Sequence, residues 1–259
     1  MRIDLNCDMG ESAEAERLAV EERIMPHVTS VNIACGVHAG NPEVMRRTVR
    51  LARQYHLSVG AHPGFADVER MGRRSLSLPP DAVEHLVAHQ VGALAHIAAL
   101  EGGRLTHVKP HGVLYNMAAG DRSLAEAIAR AVAAIDRRLV LYGLAGSYLV
   151  EAAREAGLAI AEEAFADRAY ASDGTLVPRD RPGSLIQGEQ KVVEQVLRIV
   201  REGVVRSFDG RDLPLRADTI CLHGDTPGAD RLARLIRRAL DGAGVLVAAV
   251  SSGGMSHEG

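Results

Sequence analysis

Short apolar, β-branched runs alternate with longer helix-like segments along the whole 259-residue chain, and no other feature narrows the fold as far. The strand-like runs fall at 3–6, 30–34, 58–61, 105–109, 139–142, 159–163, 219–222 and 245–250. Between them, Asn41-Pro42-Glu43 supplies the cap, first-turn proline and first-turn acid of one helix. Pro79-Pro80-Asp81 opens a longer one, with Val83, Leu86, Val87, Leu94 and Ile97 at core-facing spacings. Asp121 caps a third that carries Leu124, Ile128 and Val132, and Pro227-Gly228-Ala229-Asp230 leads into Leu232, Leu235, Ile236 and Leu240. Strand followed by helix, repeated from end to end, predicts an α/β fold with a parallel sheet and crossover helices. Seven or eight such units in a chain of this length suit one closed, TIM-like (β/α) barrel domain of irregular form. An open doubly wound sheet is the alternative.

One connection breaks the rhythm. From 165 to 188 there is no helical period, but there are Asp-Gly and Pro-Gly turn signals together with Phe165, Tyr170, Leu176, Leu185 and Ile186. A loop this long in a compact domain is either functional or disordered, and its apolar content predicts a functional one. Residues 251–259 read as a flexible tail.

Composition removes several classes of function. The formal net charge of −3 gives no general pull toward nucleic acid. No apolar run approaches the roughly 18 residues of a membrane span, and the N-terminal stretch lacks the apolar core of a signal peptide. Cys7, Cys35 and Cys221 are too few for a disulfide framework, so a cytoplasmic protein is expected. Aromatic residues are only 3%, which leaves few stacking platforms for sugars or bases. Only Lys109 and Lys191 among the thirty basic residues are lysine, which singles out Lys109 as a group able to change its charge where arginine is not.

Polar residues follow nearly every strand. Asn6 and Asp8 follow the first, and Asn32 and His38 belong to the second and its turn. His62 follows the third, Lys109 and His111 the fourth, Glu163 with Asp167 and Arg168 the sixth, and His223 with Asp225 the seventh. In a parallel α/β fold the C-terminal ends of the strands share one rim, so these residues should converge there. Each has a plain reading taken alone: Asp8 can anchor a turn, Asp225 can cap the last helix, and a single histidine can be structural. Their recurrence at the same topological position predicts a shared site. His85, His89 and His96, on the long helix, read as a solvated face.

No GxxxxGK[ST] phosphate loop, GxSxG elbow or dinucleotide fingerprint occurs. His, Asp, Asn and one Lys make an inventory for acid–base hydrolysis, with or without a metal.

Several motifs in order are similar to those of the LamB/YcsF family. They are Asp4-Leu-Asn-Cys-Asp-Met-Gly-Glu11, Asn32-Ile-Ala-Cys-Gly-Val-His-Ala-Gly40, Gly60-Ala-His-Pro63 and His107-Val-Lys-Pro-His-Gly-Val-Leu-Tyr-Asn116. Phe165-Ala-Asp-Arg-Ala-Tyr170, Asp173-Gly-Thr-Leu-Val-Pro-Arg179, His223-Gly-Asp225, Gly72-Arg-Arg74 and Tyr142-Gly-Leu-Ala-Gly-Ser147 also fit. Met9, Val37 and Ser184 depart from the family pattern, where Leu, Phe and Ala are expected.

The resemblance implies a barrel like those of the glycoside hydrolase/deacetylase superfamily. It also implies the first-subunit role in an ATP-dependent 5-oxoprolinase, which opens 5-oxoproline to glutamate together with partner subunits B and C. ATP, carried with Mg, would be handled with those partners, in keeping with the missing phosphate loop. On that reading Asp8, or one of His38 and His62, is the base, and Lys109 and His111 stabilise developing charge. Asn6, Asn32, Glu163, Asp167, Arg168, Arg179, His223 and Asp225 are the expected substrate contacts, with Arg168 or Arg179 clamping the carboxylate. Two alternatives remain at this point. One is a metal-dependent, deacetylase-like amide hydrolase with Asp8, His38 and His62 as ligands. The other is a subunit that binds substrate without catalysing its reaction.

Overall fold

The computed structural model describes residues 1–225 and 227–251. Its strands are β1 (Arg2–Met9), β2 (Ser30–Ala34), β3 (Ser58–His62), β4 (His107–Val108), β5 (Val140–Leu144) and β6 (Ala159–Phe165). They are followed by β7 (Val204–Arg206), β8 (Asp212–Pro214), β9 (Thr219–Leu222) and β10 (Leu246–Val247). Strands β1 to β6 pair in sequence, all parallel, and β9 joins β6 to β1, so seven strands close a barrel. Closure removes the open-sheet alternative. β10 lies along the first residues of β1, pairing Arg2 with Leu246 and Ile3 with Val247.

The crossovers are the helices α1 (Ala15–Ile24), α2 (Pro42–Gln54), α3 (Pro80–Leu100), α4 (Gly112–Gly120), α5 (Arg122–Ile135), α6 (Tyr148–Glu155), α7 (Glu189–Glu202) and α8 (Ala229–Gly242). Their starts follow the expected chemistry. The Asn41 side chain accepts from the Val44 N–H at 2.9 Å, and Asp121 accepts from the Ser123 and Leu124 N–H groups. α8 is instead capped by Gly228 at φ 79°, which frees Asp225 from a capping role. Among the described residues no helix is long and apolar enough to cross a membrane.

Four details differ from the sequence expectation. The first strand runs on to Met9, whereas the expected 105–109 strand pairs only over His107–Val108, because Pro110 has no N–H to continue the ladder. The expected 245–250 strand is reduced to Leu246–Val247. An antiparallel hairpin, β7 with β8, turns at Asp209-Gly210 and was not anticipated. The 165–188 connection is ordered by the bridges Arg168 to Leu185 and Tyr170 to Leu176, and it packs over one end of the barrel. Beyond Ser251 the expected tail lies outside the described residues.

The barrel interior is polar, and its layers follow from strict alternation along β1. Ile3, Leu5, Cys7 and Met9 are buried apolar positions, while Asp4, Asn6 and Asp8 alternate with them and bond to residues on other strands. In the lowest layer the Asp4 carboxylate accepts from Thr29, Ser30, Thr219 and Tyr142 hydroxyls at 2.6–3.1 Å. Above it Asn6, Asn32, His107 and Glu163 interlock.

Glycine makes room for that middle layer. A Cβ on Gly60 would stand 2.1–2.6 Å from three atoms of the His107 imidazole. That ring cannot move aside, because it stacks on Tyr142 at 4.3 Å and its Nε2 donates to Asn32 Oδ1 at 2.8 Å. Gly60→Ala is therefore expected to cost at least about 3 kcal/mol and to lower the melting temperature by roughly 6–12 °C. Gly92→Ala, on α3 with nothing within 4 Å of the new methyl, should leave thermal denaturation unchanged or raise it slightly.

Candidate active site

The C-terminal ends of the strands converge on a cavity of about 600 Å³, lined among others by Asp8, His62, Lys109, His111, Arg168, Arg179, His223 and Asp225. Its floor is an ion-pair centre. The Lys109 ammonium, only 2% exposed, lies 3.0 Å from Asp8 Oδ1 and 3.0 Å from Glu163 Oε1. It also donates to Asn6 Oδ1 at 3.2 Å and to Cys221 Sγ at 3.0 Å. Burial alone would lower the lysine pKa, but Asp8 first, then the Cys221 sulfur that accepts from it and Glu163, outweigh burial and hold Lys109 well above its ordinary value. Lys109 is thus a fixed cation, not the charge-changing group that its rarity suggested.

Asp8 is held ionised in the same way. Burial pushes its carboxyl upward, while His62, Lys109 and the His62 hydrogen bond pull it well below the usual carboxylate range. Its Oδ1 accepts from Asn32 at 2.8 Å and from Lys109, and its Oδ2 faces His62 Nε2 at 3.3 Å. A carboxylate so stabilised is a weak proton acceptor.

The imidazoles are oriented by the backbone. A carbonyl can only accept, so His62 carries a proton on Nδ1, bonded to Lys109 O at 2.7 Å. His111 carries one on Nε2, bonded to Met71 O at 2.8 Å. Their inner nitrogens then meet at 2.9 Å. His223 is oriented by a carboxylate instead: its Nδ1 donates to Asp167 Oδ1 at 2.7 Å, leaving Nε2 for a ligand. His107 stays neutral, because burial first and Lys109 second push its pKa down to about 3.

Arginines close the other side. Arg73 and Arg179 both bond Asp225 Oδ2, at 2.9 and 3.2 Å. Burial raises and His223, Arg179 and Arg73 lower the Asp225 pKa, to about 2 overall. Arg168 donates to Val177 O, and its Nε is buried without a partner. Burial, then the neighbouring Arg179, push Arg168 down to about 10. Two crowded guanidiniums beside a cavity make a receptor for an anionic group.

Eight of the residues expected in the site line the cavity, and five do not. Asn6, Asn32 and Glu163 lie beneath it, fully buried, where they position Asp8 and Lys109. Asp167 sits behind His223. His38 is 0% exposed and stacks behind His111, with ring centroids 4.0 Å apart. The expectation of direct substrate contact is corrected for the first four, since each is covered by the residue it holds, and His38 is likewise no base at the cavity wall. Nor do Asp8, His38 and His62 gather as metal ligands. Among the described residues, the donor atoms that come within 4.8 Å of one another belong to Glu11, His38 and His111, and to Asp8, Cys221 and His223. Cavity-lining residues that sequence reasoning missed include Glu11, Arg73 and Tyr115. Each lies inside a motif already singled out: Glu11 in the turn two residues beyond β1, Arg73 in a loop and Tyr115 on α4. His85, His89 and His96 are exposed.

A closed parallel barrel with an ion-paired Asp–Lys centre and oriented histidines at its C-terminal rim defines a TIM-like α/β barrel whose candidate site lies where barrels of this fold carry theirs. The chain belongs to the LamB/YcsF family, whose model matches residues 3–254. It is similar to proteins named as 5-oxoprolinase A subunits. The one from Geobacillus kaustophilus is 54% identical over 95% of this chain and 96% of that one. The protein of the same name from Bacillus subtilis is 50% identical over 96% and 97%. Among solved structures, a lactam utilization protein from Thermus thermophilus superposes with a TM-score of 0.90 at 46% identity, covering 96% of this chain and 100% of that one.

Proposed function

We propose that this chain is the A subunit of an ATP-dependent 5-oxoprolinase and that its cavity is where the lactam ring of 5-oxoproline is opened to glutamate. The observation that carries this reading is near-full-length likeness to proteins so named, joined to a cavity that offers a fixed cation, an oriented imidazole and a guanidinium pair. The substrate carboxylate fits between Arg168 and Arg179, where an anion relieves the repulsion of the two cations. The lactam carbonyl is a weak electrophile, and phosphoryl transfer from ATP to its oxygen activates it. Hydration of that carbon, C–N cleavage with a proton to nitrogen, and hydrolysis of the resulting acyl phosphate then give glutamate. ATP with Mg enters through partner subunits B and C, since this chain has no phosphate loop. His223, held by Asp167, deprotonates the attacking water, while Lys109 and His111 stabilise charge on oxygen. His223 takes that role over Asp8, whose carboxylate is too strongly stabilised.

The clamp has a separate signature. Arg179→Ala should raise KM for 5-oxoproline about 10- to 100-fold with little change in kcat, as expected when a charge-assisted bond is lost equally from ground and transition states. The reading as a whole is tested by glutamate formation from 5-oxoproline and Mg-ATP, with this chain alone and mixed with B and C. Glutamate from the mixture only is the expected result. No glutamate from any combination of folded proteins would overturn the reading.

A further inference from the structure

Two groups of metal-ligating atoms gather in the described residues, and only one of them contains a buried ring with both nitrogens unpartnered. In the other, Asp8 and Cys221 already hold the Lys109 ammonium, whose Nζ lies 3.0 Å from both Asp8 Oδ1 and Cys221 Sγ. The first is Glu11, His38 and His111. His38 is wholly buried, yet neither of its ring nitrogens has a hydrogen-bond partner, an arrangement that costs free energy unless something binds there. His111 presents Nδ1 to Glu11 Oε1 at 3.2 Å, while its Nε2 is anchored on the Met71 carbonyl. That is the posture of a metal-binding histidine, with the far nitrogen donating to the backbone. The same Nδ1 also lies 2.9 Å from His62 Nε2, so a carboxylate oxygen and two imidazole nitrogens crowd together there. A proton would serve there but would leave His38 orphaned. A metal ion would engage Glu11, His38 and His111 together, because Glu11 Oε1 is also 3.9 Å from His38 Nε2.

We propose that Glu11, His38 and His111 form a site for a divalent transition-metal ion at the edge of the cavity. Two imidazoles and one carboxylate suit Zn²⁺, Mn²⁺ or Fe²⁺ better than Mg²⁺ or Ca²⁺, which prefer oxygen ligands throughout. The His38 and His111 rings are stacked 7° from parallel, so an ion cannot lie in both ring planes as they stand. Loading turns His38, the ring with no hydrogen bond to break, toward Glu11. The ring packs directly against two glycines, since a Cβ on Gly64 would stand 2.7 Å from His38 Nδ1 and one on Gly72 3.1 Å from His38 Cβ, so only glycine at these positions accommodates it. Glu11 and His111 line the cavity, so the open positions of the ion would face a ligand there.

The proposal stands apart from the lactam reading, because its test measures metal binding and not turnover. Tag-free, chelator-stripped chain is titrated calorimetrically with Zn²⁺, and separately with Mg²⁺. One equivalent of Zn²⁺ is expected to bind with Kd of about 1 μM or tighter, and Mg²⁺ about 100-fold more weakly or not at all. Glu11→Gln and His38→Ala, each checked for folding by circular dichroism, should each weaken Zn²⁺ binding at least about 100-fold. The surface control Glu14→Gln should not. Zn²⁺ should also raise the melting temperature of the wild-type chain but not of His38→Ala. No Zn²⁺ uptake at about 100 μM, the outcome if a shared proton occupies the site, would overturn the proposal. So would uptake that survives both substitutions, which would put the ion on other residues.

Discussion

Lys109→Met is expected to lower the folded stability by about 3–5 kcal/mol and to abolish measurable glutamate formation. The side chain is almost the same length, so the loss is one of charge and not of volume. Without the ammonium, the buried carboxylates of Asp8 and Glu163 face each other across the barrel with no cation between them. The breaking of a buried ion pair is costly for this reason: desolvation of the surviving charge is no longer offset. For a chain of this size the melting temperature should fall by roughly 6–20 °C, read by calorimetry. Asp8→Asn combined with Lys109→Met should recover part of that loss, because the pair is then neutral on both sides. A coupling of about 1.5 kcal/mol or more in the double-mutant cycle is expected. A Lys109→Met chain as stable as the wild type would mean that the ion-pair centre is not what holds the barrel interior together.

The β/α alternation was legible because each strand in a parallel barrel is buried on its outer face by a crossover helix, which forces short apolar runs. The site could be read from the same topology, since residues such as Asp8, His62, His111 and His223 sit where strands end. Depth could not be read. Asn6 and Asp8 differ by one inward step along β1, yet Asp8 meets the cavity and Asn6 lies sealed beneath it. That distinction depends on the stagger of neighbouring strands, which pairs Asn6 with Ser30 and Asp8 with Asn32. Glu11 and Arg73 escaped attention because they lie in turns and loops, where no periodicity marks direction. The β7–β8 hairpin carried an Asp209-Gly210 signal, but its strands are only three residues long and too short for alternation to show. Charge was also invisible in sequence: the scarcity of lysine pointed to Lys109 as a titrating group, whereas two carboxylates around it make it a permanent cation.

Asp8→Asn carries the second large effect, and it falls on chemistry more than on folding. Asparagine is isosteric with aspartate and its Oδ1 can still accept from Asn32 and Lys109, so the barrel should assemble normally. The substitution removes a negative charge that Lys109 and His62 are arranged around and places an amide nitrogen beside His62 Nε2. The field that organises the cation and the imidazoles over the reacting carbonyl is thereby lost. Loss of a preorganised electrostatic element of this kind costs about 10²–10³-fold in turnover. The most direct test of the proposed function is steady-state glutamate release by this chain together with its proposed partner subunits B and C, wild type against Asp8→Asn, at saturating 5-oxoproline and Mg-ATP. The predicted result is a fall in kcat of about 100-fold or more, with the complex intact by gel filtration and KM for 5-oxoproline changed only a few-fold. An unchanged kcat in an intact complex would contradict it, and would mean that the lactam is opened elsewhere in the assembly.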